Sequence, residues 1–197
     1  SPALILFLIF ALKGLPEFST PVLLFIGLWC IHYFNRSFIF PFRTKTKGKK
    51  MPLIIALSAI GFNSINTYLI GSFINENAMT YSDKWFSTPQ FIIGMCLFII
   101  GFIVNLSADN TLLNLRKPGE TGYKISKGKL FTYVSSPNLL GEIIEWLGFF
   151  IMTWHLATFT FAIWTFANLI PRMVSHHKWY KEKFKDYPEE RKVFGFF

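Results

Sequence analysis

Six apolar stretches dominate the chain, at Ala3–Leu12, Pro21–Phe42, Pro52–Ile74, Phe91–Leu106, Leu139–Trp154 and Leu156–Ile170. Several approach the roughly 20 residues a helix needs to cross a hydrocarbon core of about 30 Å; the first is too short to do so. Water would not tolerate this pattern. Only 16% of the 197 residues are charged, and 24 are phenylalanine. A soluble domain averages about 25% charged residues and has no single core able to hide that many aromatic rings. The fold class expected is therefore all-α, a polytopic transmembrane helix bundle in a single membrane-embedded domain, 1–197.

Charge sets the expected orientation. Of 20 Lys and Arg, five lie in Arg43–Lys50, five in Arg116–Lys129 and seven from Arg172 onward. If the apolar segments alternate in direction, these blocks share one face, which the positive-inside rule makes cytoplasmic. The net charge of +9 thus reflects topology first, and attraction for anionic headgroups or a polyanionic cofactor second. Nucleic acid is not an expected partner.

The connections are informative. The run RTKTKGKK (43–50) reads as a solvated loop between spans. Residues 116–138 form the longest polar connection, with turn signals at Pro118-Gly119 and Gly128. Its Tyr123, Phe131 and Tyr133 imply a loop that packs. Beyond Arg172, basic residues alternate with Trp179, Tyr180, Phe184 and Tyr187, the pattern of an amphipathic interfacial helix ending near Tyr187-Pro188. Cys30 and Cys96 lack metal or disulfide spacing and read as buried packing residues.

Polar residues recur where lipid is expected. Asn105, Asp109, Leu112 and Arg116 fall on one helical face, as do Asn138, Glu142, Glu145 and Phe149 in the next segment. Arg172, His176, Tyr180 and Lys183 form a third stripe, and Tyr33, Arg36 and Phe40 a fourth. Helix-end side chains reaching for headgroups account for some of these. Acidic groups gain nothing from anionic headgroups, so Asp109, Glu142 and Glu145 need partners, which Arg36, Arg116 and Arg172 or a ligand can supply. The stripes describe a cytosol-facing cavity for a large polar or anionic ligand, above an apolar chamber. No glycine-rich phosphate loop or nucleophile elbow is present. His32, His155, His176 and His177 have poor metal-ligand spacing, so no metal is expected.

Three passages carry a family resemblance: IHYFNRSF (31–38), LRKPGETGYKISKGKLFTYVSSPNLLGEIIEWLGF (115–149) and NLIPRMVSHHKWYKEKFKDYPEERK (168–192). In collinear order they closely resemble the steroid 5α-reductases, the tail being nearer the plant and bacterial members. The resemblance implies a bundle of seven transmembrane helices, of which this chain lacks the first and part of the second. Residues 1–90 would supply substrate-side helices and 91–197 the cofactor-binding part. It further implies an oxidoreductase that reduces the C4–C5 double bond of a 3-oxo-Δ4-steroid with NADPH. Hydride would go to the enone β-carbon while a donor pair polarises the 3-keto oxygen.

Carried over position by position, Tyr33 matches the carbonyl-binding, catalytic tyrosine. Asn105, Asp109, Arg116, Tyr123, Asn138, Glu142, Arg172, His176 and Tyr180 match cofactor-contacting positions, and Arg36 is grouped with them. Phe62, Trp146 and Leu169, with Tyr33, match the steroid chamber. Two departures stand out. Ser1-Pro2-Ala3 matches the residues just after the family's essential glutamate, which is expected one position before Ser1. Phe40 stands where steroid-reducing members often have Tyr, losing one hydroxyl.

The alternatives are a reductase of another conjugated lipid (an enoyl-CoA or a sterol), an S-adenosylmethionine-dependent membrane methyltransferase, and a lipid-binding scaffold without catalysis. The methyltransferases place Arg-His before the Pro that here follows Ser135-Ser136. The expected setting is a bacterial inner membrane or the endoplasmic reticulum, as a monomer among membrane lipids, with the cofactor site facing the cytoplasm.

Overall fold

The computed structural model of the protein describes residues 3–14, 16–44, 52–116, 120 and 122–194. The Ser1-Pro2 match, most of the 43–50 basic run and the Pro118-Gly119 turn lie outside these residues. Among the described residues the chain is helical, and its one β-type pairing is an isolated parallel bridge between Val134 and Lys192. The helices are α1 (Ala3–Ala11), α2 (Thr20–Phe34), α3 (Phe40–Arg43), α4 (Leu53–Glu76), α5 (Pro89–Leu113), α6 (Pro137–Thr153) and α7 (Leu156–Lys183). Each of the six apolar stretches has become a helix.

Among the described residues, three helical stretches, Thr20–Arg43, Leu53–Glu76 and Pro89–Leu113, are long and apolar enough to cross a membrane. Their exposed side chains agree: Ile54, Ile55, Ile92, Ile99 and Ile103 all face outward. In water such surfaces would drive association; against lipid they are at home. Four polar residues of α4 are satisfied within the helix itself. Ser58, Asn63, Ser64 and Thr67 each donate to the carbonyl four residues earlier, at 2.7–2.9 Å.

The chain divides into two compact units. The first comprises Ser1–Ile92 with His155–Thr158. In it α1 packs on α4, and the Asn75 amide donates to the Ala11 and Lys13 carbonyls at 2.9 and 2.8 Å, closing the end of α1. An aromatic ladder follows: Phe7 stacks on Trp29 at 5.1 Å, and Trp29 on Tyr33 at 4.6 Å. Between α2 and α3 the helix continues through a π-helical turn, Asn35–Ile39. That turn breaks the uniform spacing on which the Tyr33/Arg36/Phe40 stripe was built, because it holds more residues than an α turn.

The second unit comprises Ile93–Trp154 and Phe159–Phe197. Its centre is the α5–α6 contact, made through facing glycines. A Cβ on Gly101 would lie 2.3 Å from the Glu145 nitrogen, and one on Gly148 would lie 2.4 Å from the Phe98 nitrogen. Only glycine lets the backbones approach this closely, as at small-residue interfaces in membranes. Beside this contact, Trp146 packs edge-on to Phe161 at 4.6 Å and meets Phe98 and Phe149.

Two expectations need correction. The basic–aromatic tail does not form a separate interfacial helix. Instead α7 runs unbroken through Pro171 to Lys183, and a turn follows at 185–186. The helical spacing was real, but no stop signal separates it from the preceding span. Nor are the cysteines both buried. Cys30 is half-buried and Cys96 is exposed, on a face of α5 away from the glycines that pack against α6.

Candidate functional site

The N-terminal end of α6 gathers the polar side chains of the second unit. Asn105 is 1% exposed, and its amide donates to the Asn138 carbonyl at 2.8 Å. The Asn138 side chain in turn donates to Asp109 Oδ1 at 3.2 Å. Asp109 is itself buried. The spacing explains the geometry: Asn105 and Asp109 share a face of α5 one turn apart, and Gly141 lets α6 come close beside them. A Cβ on Gly141 would meet the Asn105 nitrogen at 2.6 Å. Farther along α6, Glu142 is half-buried and Glu145 fully buried.

The end of α7 and the chain beyond it fold onto the same region. His176 Nδ1 lies 3.3 Å from Ser136 Oγ, and Ser136 is two residues before Asn138. His176 and the Asn105–Asn138–Asp109 cluster therefore meet at one end of α6. Next to it, His177 Nδ1 lies 2.6 Å from Ser135 Oγ, which also accepts from the Tyr187 hydroxyl at 2.7 Å. The Ser135 nitrogen donates to the Lys192 carbonyl at 3.1 Å, and the Lys192 nitrogen to Tyr133 at 2.8 Å. Arg191, 4% exposed, donates to the Ser126 carbonyl at 2.7 Å and lies over the Tyr187 ring at 5.2 Å. Tyr187 stacks on Tyr180 at 5.4 Å.

This part of α7 lies past the apolar segment that ends at Ile170, and its titrating groups are perturbed. Burial, reinforced by Arg172, lowers the His176 pKa, although the residue is exposed and the shift is correspondingly screened. Burial, then Lys181 and Lys192, lower that of His177. The Tyr180 pKa is raised by burial and by Tyr187, against the opposing pull of Arg191. Both shifts favour the neutral imidazole over the cation.

Asn105, Asp109, Asn138 and His176 are brought together in this way. Glu142 lies one turn along α6 from Asn138, and Tyr180 one turn along α7 from His176. Arg116 and Arg172 are exposed at the ends of their segments. Tyr123 is exposed and packs edge-on against Trp179 at 4.8 Å. Of the chamber residues, Trp146 and Leu169 are buried in the second unit, whereas Phe62 is half-buried on α4 in the first. Tyr33 and Arg36 also belong to the first unit. Tyr33 is buried between Trp29 and an edge-on His32 ring at 5.2 Å. Arg36 lies over the Phe40 ring at 5.3 Å.

Ser126 and Arg191 were not singled out from the sequence, and Ser135, Ser136, His177 and Tyr187 were noted there without a role in this site. Their hydrogen bonds join positions 40 to 65 residues apart, which no local periodicity reveals. The one available signal was the aromatic content of the 116–138 connection.

Comparison with known proteins returns a consistent set. A model of the family described as 3-oxo-5-alpha-steroid 4-dehydrogenase matches residues 49–195. The chain is 44% identical over 173 residues to 3-oxo-5-alpha-steroid 4-dehydrogenase 1 of Bos taurus, covering 88% of this chain and 66% of that protein. It is also 44% identical over 200 residues to a steroid 5-alpha-reductase of Solanum lycopersicum, covering 100% of this chain and 77% of that one. With 3-oxo-5-alpha-steroid 4-dehydrogenase 2 of Homo sapiens it shares 40% identity over 185 residues, 94% and 72% of the two chains. The chain thus spans just under two thirds of the length of the bovine relative.

Proposed function

Because the chain belongs to the 3-oxo-5-alpha-steroid 4-dehydrogenase family, we propose that it takes part in the NADPH-dependent reduction of the C4–C5 double bond of 3-oxo-Δ4-steroids. The observation that carries this reading is the hydrogen-bonded Asn105–Asn138–Asp109 cluster, continued to His176 through Ser136.

The residues present suit a dinucleotide. Asp109, oriented by Asn138, is an acceptor for ribose hydroxyl or carboxamide donors. Neutral His176, its Nδ1 engaged by Ser136, offers Nε2 to a ligand without adding charge. Arg116 and Arg172 are exposed cations at the ends of their segments, suited to phosphates. Arg36, Tyr123, Glu142 and Tyr180 complete the proposed cofactor-binding set. When bound, NADPH supplies the hydride that adds to the enone β-carbon.

Tyr33 then acts on the substrate. Its hydroxyl donates to the 3-keto oxygen and stabilises the negative charge that develops there as the double bond is reduced. A preorganised donor of this kind contributes roughly 10²–10³ in rate. Its stacking on Trp29 holds the ring in one orientation, so little reorganisation is needed when the charge appears. Phe62, Trp146 and Leu169 are the proposed apolar contacts for the steroid. On this reading the basic, cofactor-binding face is cytoplasmic.

The test uses the full-length protein in detergent with NADPH and progesterone or testosterone. A 5α-dihydro product, heavier by two hydrogens in the mass spectrum, is the expected result. Cofactor binding with no steroid product would transfer the reaction to another conjugated lipid. Failure to bind NADPH would overturn the reductase reading.

A further inference from the structure

A second polar stripe runs along α5, opposite the one that meets α6. Ser107, Asn110, Thr111 and Asn114 are spaced i, i+3, i+4, i+7, and so share a face. Asn110 and Asn114 are exposed, whereas Asn105 and Asp109 on the other face are buried. The outward stripe begins directly after the apolar run Phe91–Leu106 and extends about 10 Å beyond it at 1.5 Å per residue. The headgroup region beyond the hydrocarbon is roughly 5–7 Å thick on each side, so a stripe of this length starting at the hydrocarbon's edge would span it.

Asn110, Thr111 and Asn114 of the stripe line an open basin of about 500 Å³. Lys127, Lys129, Leu115 and Ile125 also line it. No acidic side chain is among the described lining residues. Lys129 is held there: its Nζ donates to Ser107 Oγ at 2.9 Å. Its backbone has φ +50, directly after Gly128 at φ +79. A lysine in the left-handed region is strained, and such strain clusters at ligand sites. The side chain is exposed, and its ammonium reaches back to α5 through the Ser107 bond.

We infer that this basin is a binding site for the phosphate headgroup of an anionic phospholipid. The two ammonium groups would neutralise the phosphate, the Asn and Thr side chains would hydrogen-bond its oxygens or the glycerol, and Leu115 and Ile125 would meet the first methylenes. Charge complementarity and the position at the end of a span favour a lipid over a free anion. The site lies on the opposite face of α5 from the proposed cofactor cluster and does not depend on that proposal.

The experiment is native mass spectrometry of the full-length protein in detergent, titrated with phosphatidylglycerol and, separately, with phosphatidylcholine. Phosphatidylglycerol should be retained in preference. Each lysine removed should weaken its affinity about fivefold, and the pair Lys127→Ala/Lys129→Ala about thirtyfold. Lys129→Gly guards against misfolding, because it relieves the strained backbone while removing the ammonium. It should melt no lower than wild type and still lose affinity about fivefold. Unchanged phosphatidylglycerol affinity in Lys129→Gly would overturn the site. Displacement of the lipid by equimolar inorganic phosphate would overturn the lipid as occupant. Displacement by NADP⁺ would overturn its separation from the cofactor cluster.

Discussion

Asn138 on α6 donates a hydrogen bond to Asp109 on α5 at 3.2 Å, while the carbonyl of the same Asn138 accepts from Asn105 at 2.8 Å. One residue therefore serves both polar positions of the α5 stripe, with its backbone and with its side chain. The arrangement depends on Asn138 sitting at the start of α6, where its side chain reaches across to α5.

Asn138→Ala should weaken NADPH binding more than it weakens folding. The backbone bond to Asn105 survives, but the buried Asp109 loses a donor. A hydrogen bond to a charged group contributes roughly 1.5–3 kcal/mol, or about 10–100-fold in affinity. Fluorescence titration with NADPH checks this, and wild-type affinity would remove Asn138 from the proposed site.

Tyr33→Phe should lower turnover by roughly 10²–10³ while leaving NADPH affinity nearly unchanged. The ring keeps its stack on Trp29 and only the hydroxyl is lost. Comparing kcat with the NADPH Kd separates the two effects; an equal loss in both would contradict a role confined to the ketone.

Gly101→Ala should destabilise the protein although the change is one methyl group. The new Cβ would sit 2.3 Å from the Glu145 backbone nitrogen, so α5 and α6 must separate, at a cost of about 1–3 kcal/mol. Gly61→Ala on α4 is the contrast, since its Cβ would meet nothing within 4 Å. There a gain of roughly 0.5–1 kcal/mol is expected from helix propensity. Thermal melting in detergent should move the two variants in opposite directions.

The tail should loosen in acid. Burial, with Lys181 and Lys192 nearby, lowers the His177 pKa from its ordinary 6.5. A histidine whose folded pKa is depressed binds protons more readily when unfolded. Its contribution to stability is complete above about pH 6.5 and declines as the pH falls toward the folded-state value. His176 is shifted in the same direction. Hydrogen exchange of residues 184–192, corrected for intrinsic rates, should accelerate between about pH 8 and about pH 5. The acceleration should shrink in His177→Gln, which keeps an acceptor for Ser135 but does not titrate in that range.

Much of the local structure was legible in the chain. The apolar runs gave all six long elements, because a segment placed in lipid must satisfy its backbone internally and a helix is the only single-segment solution. The Asn105/Asp109 and Asn138/Glu142 stripes were visible because helical periodicity places such pairs on one face regardless of tertiary context. Where a local irregularity intervened, the reading failed. The π turn at Asn35–Ile39 and the uninterrupted run of α7 through Pro171 have no unambiguous mark in composition or spacing.

The sequence by itself determined that this is a helical membrane protein and which family it belongs to, since hydrophobic periodicity and collinear motifs are properties of the chain alone. Only the tertiary structure decided which polar residues are satisfied by one another. Asn105 could have turned to a headgroup; the approach of α6 at Gly141 turned it to Asn138. Ser135, His177 and Tyr187 became one hydrogen-bonded set because the tail folds back on the start of α6. Such contacts join residues far apart in the chain, and long-range packing, not local preference, selects them.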